Sequence, residues 1–213
     1  LLTFAGSNFC HLKTWYDQSG NGNNVTQSAT GKQPIMAFSE AVQTVDGRPA
    51  VRFEASTADA LPFDNTGLDI GNLSSFAVFK LSSTTGTQRV IQLSGTAVSD
   101  KTFYAPVISS GNFLYKYANV SRSTPANTNN NLHTLIAGAT TLYPPTQGTA
   151  EAFLNGTSVG TATLGSGISA TAGIGGVGSD FLNGFIQEVV VYSSDQSERR
   201  LGIERNISNH YDL

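Results

Sequence analysis

The stretch "GFIQEVVVYSSDQSERRLGIERNISNHY", Gly184 to Tyr211, changes its period half-way. The first half alternates as a strand does. Ile186, Val190 and Tyr192 are assigned to one face, and Phe185, Val189 and Val191 to the other. The second half repeats as a helix does. Asp195 is placed to cap it, and Glu198 follows at capping-box spacing. Ile203, Ile207 and Tyr211 recur every four residues. The spacing predicts one short helix over Gln196–Asn209, with those three side chains as its buried stripe.

Upstream, only the strand signal recurs. "SFAVFKL" (Ser75–Leu81) is apolar on both faces and reads as a central strand. "RVIQLSG" (Arg89–Gly95) and "HTLIAGAT" (His133–Thr140) read likewise. "AEAFLNGTSVGTA" (Ala150–Ala162) is a hairpin, because Asn155-Gly156 supplies the two left-handed residues of a type I′ turn. "TPANTNNN" (Thr124–Asn131) is a polar loop rather than a linker, and no repeat is present. Many strands and few helical periods predict an all-β, antiparallel two-sheet sandwich. Residues 1–213 read as one domain. The chain opens on Leu rather than Met, so the expectation is the C-terminal part of a longer chain.

The composition excludes some functions. The net charge is −3 and 13% of residues are charged, too few and too scattered for a nucleic-acid footprint. No apolar run is long enough to span a bilayer. The single Cys10 cannot form an internal disulfide, and the expectation is a buried apolar side chain. His11, His133 and His210 are too dispersed to suggest a metal cluster. The glycines of Gly173-Ile174-Gly175-Gly176 lack the following helix that a phosphate loop needs. Five Asn-x-Ser/Thr sequons, at Asn24, Asn72, Asn119, Asn155 and Asn206, matter only in a glycosylating host.

"TWYDQSGNGNN" (Thr14–Asn24) admits three readings. Asp17, Ser19, Asn21 and Asn23 offer oxygen atoms at alternate positions, as a calcium loop does, but the distal bidentate Glu is missing. Asp17 as a catalytic acid or base has no partner in the segment. The third reading, a structural turn, is preferred. Asp and Asn side chains hold nearby amides, Gly20 and Gly22 take left-handed conformations, and Trp15 and Tyr16 anchor the turn to the core. No cofactor is expected, with calcium at Asp17 as the alternative.

Together, "KTWYDQSGNGNNVTQ", "VDGRPAVRFEAS" and the closing Gly184–Tyr211 segment resemble the laminin-G-like, concanavalin A-like jelly rolls. The pattern resembles domains of phage and other virion surface proteins and of bacterial surface proteins. It also resembles the catalytic sandwich of family 54 α-L-arabinofuranosidases, which carry a "YDQSGxGN" segment and a Gly-Ile-Gly-Gly-Asp segment. The departures count against that chemistry. Val177 stands where those enzymes keep the acid, with Asp180 three residues on. Their Asp-Leu-Glu-Asn nucleophile segment and their cysteine pair are absent. Glu151 and Glu188 are the strand-borne acids left to pair. No catalytic residue is expected.

Ligand-binding candidates are Tyr115, Tyr117, Tyr143 and Asp180. "NFLYKYANV" (Asn112–Val120) puts Phe113, Tyr115 and Tyr117 on one face, either as core or as a sugar-stacking platform. "LYPPTQG" (Leu142–Gly148) offers Tyr143 on a rigid rim loop. The resemblance implies a non-catalytic module on a virion or extracellular surface. Its expected partners are a glycan or host-surface receptor, or other virion or surface-protein subunits. A glycoside hydrolase and a purely structural assembly domain are the alternatives.

Overall fold

The computed structural model describes residues 8–63, 72–93, 103–117, 120–138, 149–163 and 172–213. Two antiparallel sheets pack face to face. The larger runs, from one edge to the other, through β1 (Phe9–His11), β4 (Ile35–Phe38), β8 (Val51–Phe53), β21 (Gly184–Tyr192), β10 (Leu73–Leu81), β15 (Asn130–Gly138), β16 (Thr149–Leu154) and β17 (Thr157–Thr163). Short β5 (Ala41–Val42) pairs with β4. The smaller sheet runs β14 (Val120–Pro125), β13 (Asn112–Tyr117), β12 (Phe103–Ser109), β11 (Gln88–Gln92), β18 (Ala172–Ile174) and β9 (Leu61–Phe63). Three hairpins flank them: β2 (Thr14–Trp15) with β3 (Val25–Thr26), β6 (Thr44–Val45) with β7 (Arg48–Pro49), and β19 (Gly176–Val177) with β20 (Asp180–Phe181).

The core between the sheets joins Phe53, Phe79, Leu135 and Ile186 of the larger sheet to Val90, Ile91, Phe113 and Tyr115 of the smaller. Phe79 and Phe113 meet edge to face, with ring centroids 5.6 Å apart. Each such side chain contributes about 1.5–3 kcal/mol by leaving water. A second cluster lies on the outer face of the larger sheet, where Phe76, Val78, Leu132 and Phe153 sit under Ile207 and Tyr211 of α1 (Arg200–Tyr211). That third layer is why β10 is apolar on both faces: Ala77 and Phe79 face the sandwich core, Phe76 and Val78 face the helix. The Arg200 guanidinium lies 3.8 Å from the centre of the Phe153 ring and donates to Glu204 at 2.6 Å, pinning the first turn of α1 to the sheet.

Two expectations need correcting here. The helix begins later than Gln196: Asp195 Oδ1 accepts from Ser197 N at 2.8 Å, but the turn it caps is a 3-10 turn, Ser197–Arg199, and α1 follows. Ile186 shares a face with Val189 and Val191, not with Val190 and Tyr192. The reason is a β-bulge. Val78 pairs with Glu188 and Phe79 with Ile186, so Gln187 is one residue extra and the alternation inverts across it. Gln187 is buried and hydrogen-bonded: Asn130 Nδ2 donates to its Oε1 at 2.7 Å, and its Nε2 donates to the Val45 carbonyl at 3.2 Å. The Asn155-Gly156 turn has φ of +49° and +76° at its two residues, as a type I′ turn requires.

Candidate functional site

The outer face of β21 carries Glu188. Beside it, α1 presents Asn206, Ile207, His210 and Tyr211, two pairs at helical i, i+4 spacing that meet one groove. Together these five residues line a cleft of about 250 Å³. Glu188 is half-buried. Burial pushes its carboxyl above the ordinary carboxylate value, against the pull of His210 and a hydrogen bond from Tyr211. The Tyr211 phenol is pushed up to about 12, first by burial and then by the Glu188 charge beside it, with Arg48 opposing. Its hydroxyl also reaches the Gln187 carbonyl at 3.5 Å, a weak contact. His210 packs edge-on against Tyr211, ring centroids 4.7 Å apart. Arg48 of the β6–β7 hairpin and Asp212 form an exposed ion pair at 3.8 Å nearby.

The cleft thus offers a carboxylate acceptor, a phenol oxygen, an amide that both donates and accepts, and an imidazole. That is chemistry for gripping a polar, hydroxyl-bearing group. It holds one carboxylate. Glu151 lies level with Tyr192 through the register Glu151–Ile136–Ser74–Tyr192, three strands from β21. Three strand spacings put it about 14 Å away, beyond the reach of paired glycosidic acids. Its Oε1 accepts from Ser158 Oγ at 2.6 Å. Asp180 belongs to the β19–β20 hairpin beside β11, and its Oδ2 accepts from Arg89 Nε at 2.9 Å. The three acids do not converge.

The ligand candidates scatter. Tyr115 has no exposed surface and belongs to the core between the sheets, so it cannot stack on a ligand. The reason is that its face of β13 points at the larger sheet. Tyr117 is the last residue of β13, and its side chain lies outside the described residues. Tyr143 lies outside them altogether. Asp180 is committed to Arg89.

In the Thr14–Asn24 turn, Asp17 is the organiser. Its carboxylate accepts from Ser19 N at 2.8 Å, Ser19 Oγ at 2.8 Å and Asn23 N at 2.9 Å. These bonds, Ser19's first, hold it below the usual carboxylate value. The hydrogens turned toward Asp17 present the polarity of an anion's surroundings rather than a cation's. Gly20 and Gly22 take φ of +84° and +78°, and Asn21 bonds the Ser19 hydroxyl through Nδ2 at 3.0 Å. Trp15 packs against the core. Tyr16 does not anchor the turn: it is 65% exposed, because neighbours on extended chain point to opposite sides. Cys10, expected buried, is only half-covered on edge strand β1. Among the described residues no three His, Cys, Asp or Glu side chains are grouped to hold a metal ion.

Asn206 and His210 were not among the sequence candidates. Their signal is the i, i+4 polar pair beside the apolar Ile207–Tyr211 pair, which needs the helix docked on β21 to mean anything.

No family model matches this sequence, and no curated protein sequence matches it. Solved structures do match in shape. The binding domain of Paraclostridial Mosquitocidal Protein 1 superposes with a TM-score of 0.58 at 12% identity, over 99% of this chain and 53% of that one. The fold is an antiparallel two-sheet jelly roll of the shape seen in that domain. The binding domain of botulinum neurotoxin DC superposes at 0.55 in complex with rat synaptotagmin II, with 9% identity over 91% of this chain and 51% of that one. In complex with SialylT it superposes at 0.53, with 8% identity over 92% and 51%. The chain spans about half the length of each of these solved chains. Among the described residues no helix is long and apolar enough to cross a membrane.

Proposed function

We propose that this jelly roll is a non-catalytic module that binds a glycan or a glycosylated receptor at a virion or other extracellular surface. The observation that carries the reading is the cleft of Glu188, Asn206, His210 and Tyr211, where convergent hydrogen-bonding groups surround a single carboxylate. One carboxylate suits recognition. Cleavage of a glycosidic bond needs two carboxyl groups held together. The sparse charge of the chain agrees, since hydroxyl-rich ligands are held by hydrogen bonds rather than by charge steering. The matched toxin domains are named as binding domains, one of them solved with SialylT, which supports the same class of role. The virion setting is supported by the motif resemblance at both ends of the chain.

A glycan array probed with the 213-residue chain tests this, followed by calorimetry on the strongest hit. Glu188→Gln and Asn206→Ala weaken that binding by about tenfold each, the loss of one good polar contact. Their melting temperatures stay near the parent's. Turnover of aryl arabinofuranosides that disappears in Glu188→Gln overturns the reading in favour of a hydrolase. An empty array, with no receptor binding either, favours a purely structural assembly domain.

A further inference from the structure

The chain contains three Asn-Gly pairs: Asn21-Gly22, Asn155-Gly156 and Asn183-Gly184. In such a pair the glycine nitrogen can attack the asparagine side-chain amide carbon and close a five-membered ring. A glycine has no Cβ in the way and lets the backbone turn to bring the two atoms together. The ring does not close from a regular turn or strand. In a folded chain the reaction therefore depends on how freely each pair opens.

Two of the pairs are held. Asn155 N donates to the Leu132 carbonyl at 2.8 Å, its Oδ1 accepts from Leu132 N at 2.8 Å, and its Nδ2 donates to Asn131 Oδ1 at 3.1 Å. Asn183 N donates to Gln88 Oε1 at 2.8 Å, and its carbonyl accepts from Ser82 N at 2.9 Å. Gly184 pairs with Phe53 on one side and Leu81 on the other, and a Cβ there would lie 2.4 Å from the Lys80 carbonyl oxygen. Asn21 differs. It is exposed and belongs to no strand. Among the described residues its bonds run to one hydroxyl two residues back: Ser19 Oγ accepts from its N at 3.3 Å and from its Nδ2 at 3.0 Å. Gly22 is exposed, has open space around it, and its N donates to no described residue.

We infer that Asn21-Gly22 is a self-modification site, which deamidates in the folded chain with water as the sole co-reactant while the other two pairs are protected. The Gly22 nitrogen forms a bond to Asn21 Cγ. The Cγ–Nδ2 bond breaks, and Nδ2 leaves as ammonia with the proton that Gly22 gave up. Water then opens the ring at either carbonyl carbon, returning a proton to the Gly22 nitrogen and leaving aspartate or isoaspartate. No atom is oxidised or reduced. The product puts a second carboxylate in the turn that Asp17 organises, and this carboxylate cannot donate to Ser19 as the amide did. Isoaspartate also lengthens the backbone there by one atom. The net charge of −3 becomes one unit more negative. The turn thus ages into a looser and more acidic one, independently of what the cleft binds.

Peptide mass spectrometry on the 213-residue chain tests it, after incubation in mildly alkaline buffer with and without concentrated urea. In urea the three pairs convert at comparable rates. In the folded chain Asn21 converts at least about tenfold faster than Asn155 or Asn183, because their hydrogen bonds have to break first. A more acidic species grows in parallel on ion exchange and is much reduced in Asn21→Gln, whose longer side chain would have to close a larger ring. Conversion of Asn21 in the folded chain at the rate of either other pair overturns the site. So does an acidic species undiminished in Asn21→Gln. A tenfold gap that persists in urea assigns the difference to local sequence and overturns the protection by the fold.

Discussion

Tyr115 and His133 stack across the interface of the two sheets, ring centroids 5.0 Å apart and planes 26° from parallel. Both are fully buried, and among the described residues neither the Tyr115 hydroxyl nor either His133 nitrogen has a hydrogen-bond partner. Two polar rings are thus treated by the fold as apolar ones. That choice has a cost in stability, and the cost depends on pH for one of them.

His133 has to stay neutral. Burial pulls its imidazole from 6.5 down to about 3. The unfolded chain takes up the proton near 6.5, whereas the folded chain resists until about 3. Stability from this site is complete above pH 6.5 and is lost progressively as pH falls toward 3. Urea midpoints measured along that range fall for the parent. His133→Phe keeps the ring and has nothing to protonate, so its midpoint falls distinctly less. Parallel curves for the two proteins defeat the assignment.

Tyr115→Phe removes a buried hydroxyl that bonds to none of the described residues. The shape of the core is kept and a desolvated donor disappears. The variant is stabilised by about 1–2 kcal/mol, read as a higher denaturation midpoint at unchanged slope. A loss of stability shows instead that the hydroxyl has a partner.

Trp15 is half-buried against the core, while Tyr16 beside it is exposed. Trp15→Ala destabilises by about 2–3 kcal/mol, below the range for a fully buried ring because part of this one already meets water. Tyr16→Ala leaves the midpoint within about 0.5 kcal/mol. Equal effects of the two substitutions contradict the arrangement of this turn.

Gly175 sits at φ +79°, and a Cβ there would lie 2.1 Å from the Phe53 ring. Gly178, at φ +71°, has open space around it. Gly175→Ala costs about 3 kcal/mol or more, through backbone strain plus overpacking. Gly178→Ala costs about 1–2 kcal/mol, through strain alone. The same denaturation series separates them. The glycines of Gly173-Ile174-Gly175-Gly176 are accordingly packing residues: a Cβ at Gly173 would lie 2.7 Å from the Gly176 carbonyl oxygen, and one at Gly176 would lie 2.5 Å from Phe181.

What was legible in the sequence is what short stretches of chain decide alone. The Asn155-Gly156 turn is set by two residues that tolerate positive φ. The Ile207–Tyr211 stripe follows from helical period, and the double-sided apolarity of β10 announces a strand covered on both faces. Each rests on backbone sterics or on solvent exclusion within one element. Tertiary structure decided the rest, because it concerns pairs far apart in the chain. The bulge at Gln187 arises where β21 must match β10, and no local pattern marks it. In the sequence Tyr115 reads as core or as part of a sugar platform, and the larger sheet decides for core by closing over it and setting His133 on its ring. Phe9 and Phe38 carry no shared motif, and only the β1–β4 register stacks them. The cleft exists only because α1 docks beside Glu188. Local physics chooses the elements of this protein. Which side chains stay wet, and therefore which can bind, is chosen by how those elements cover one another.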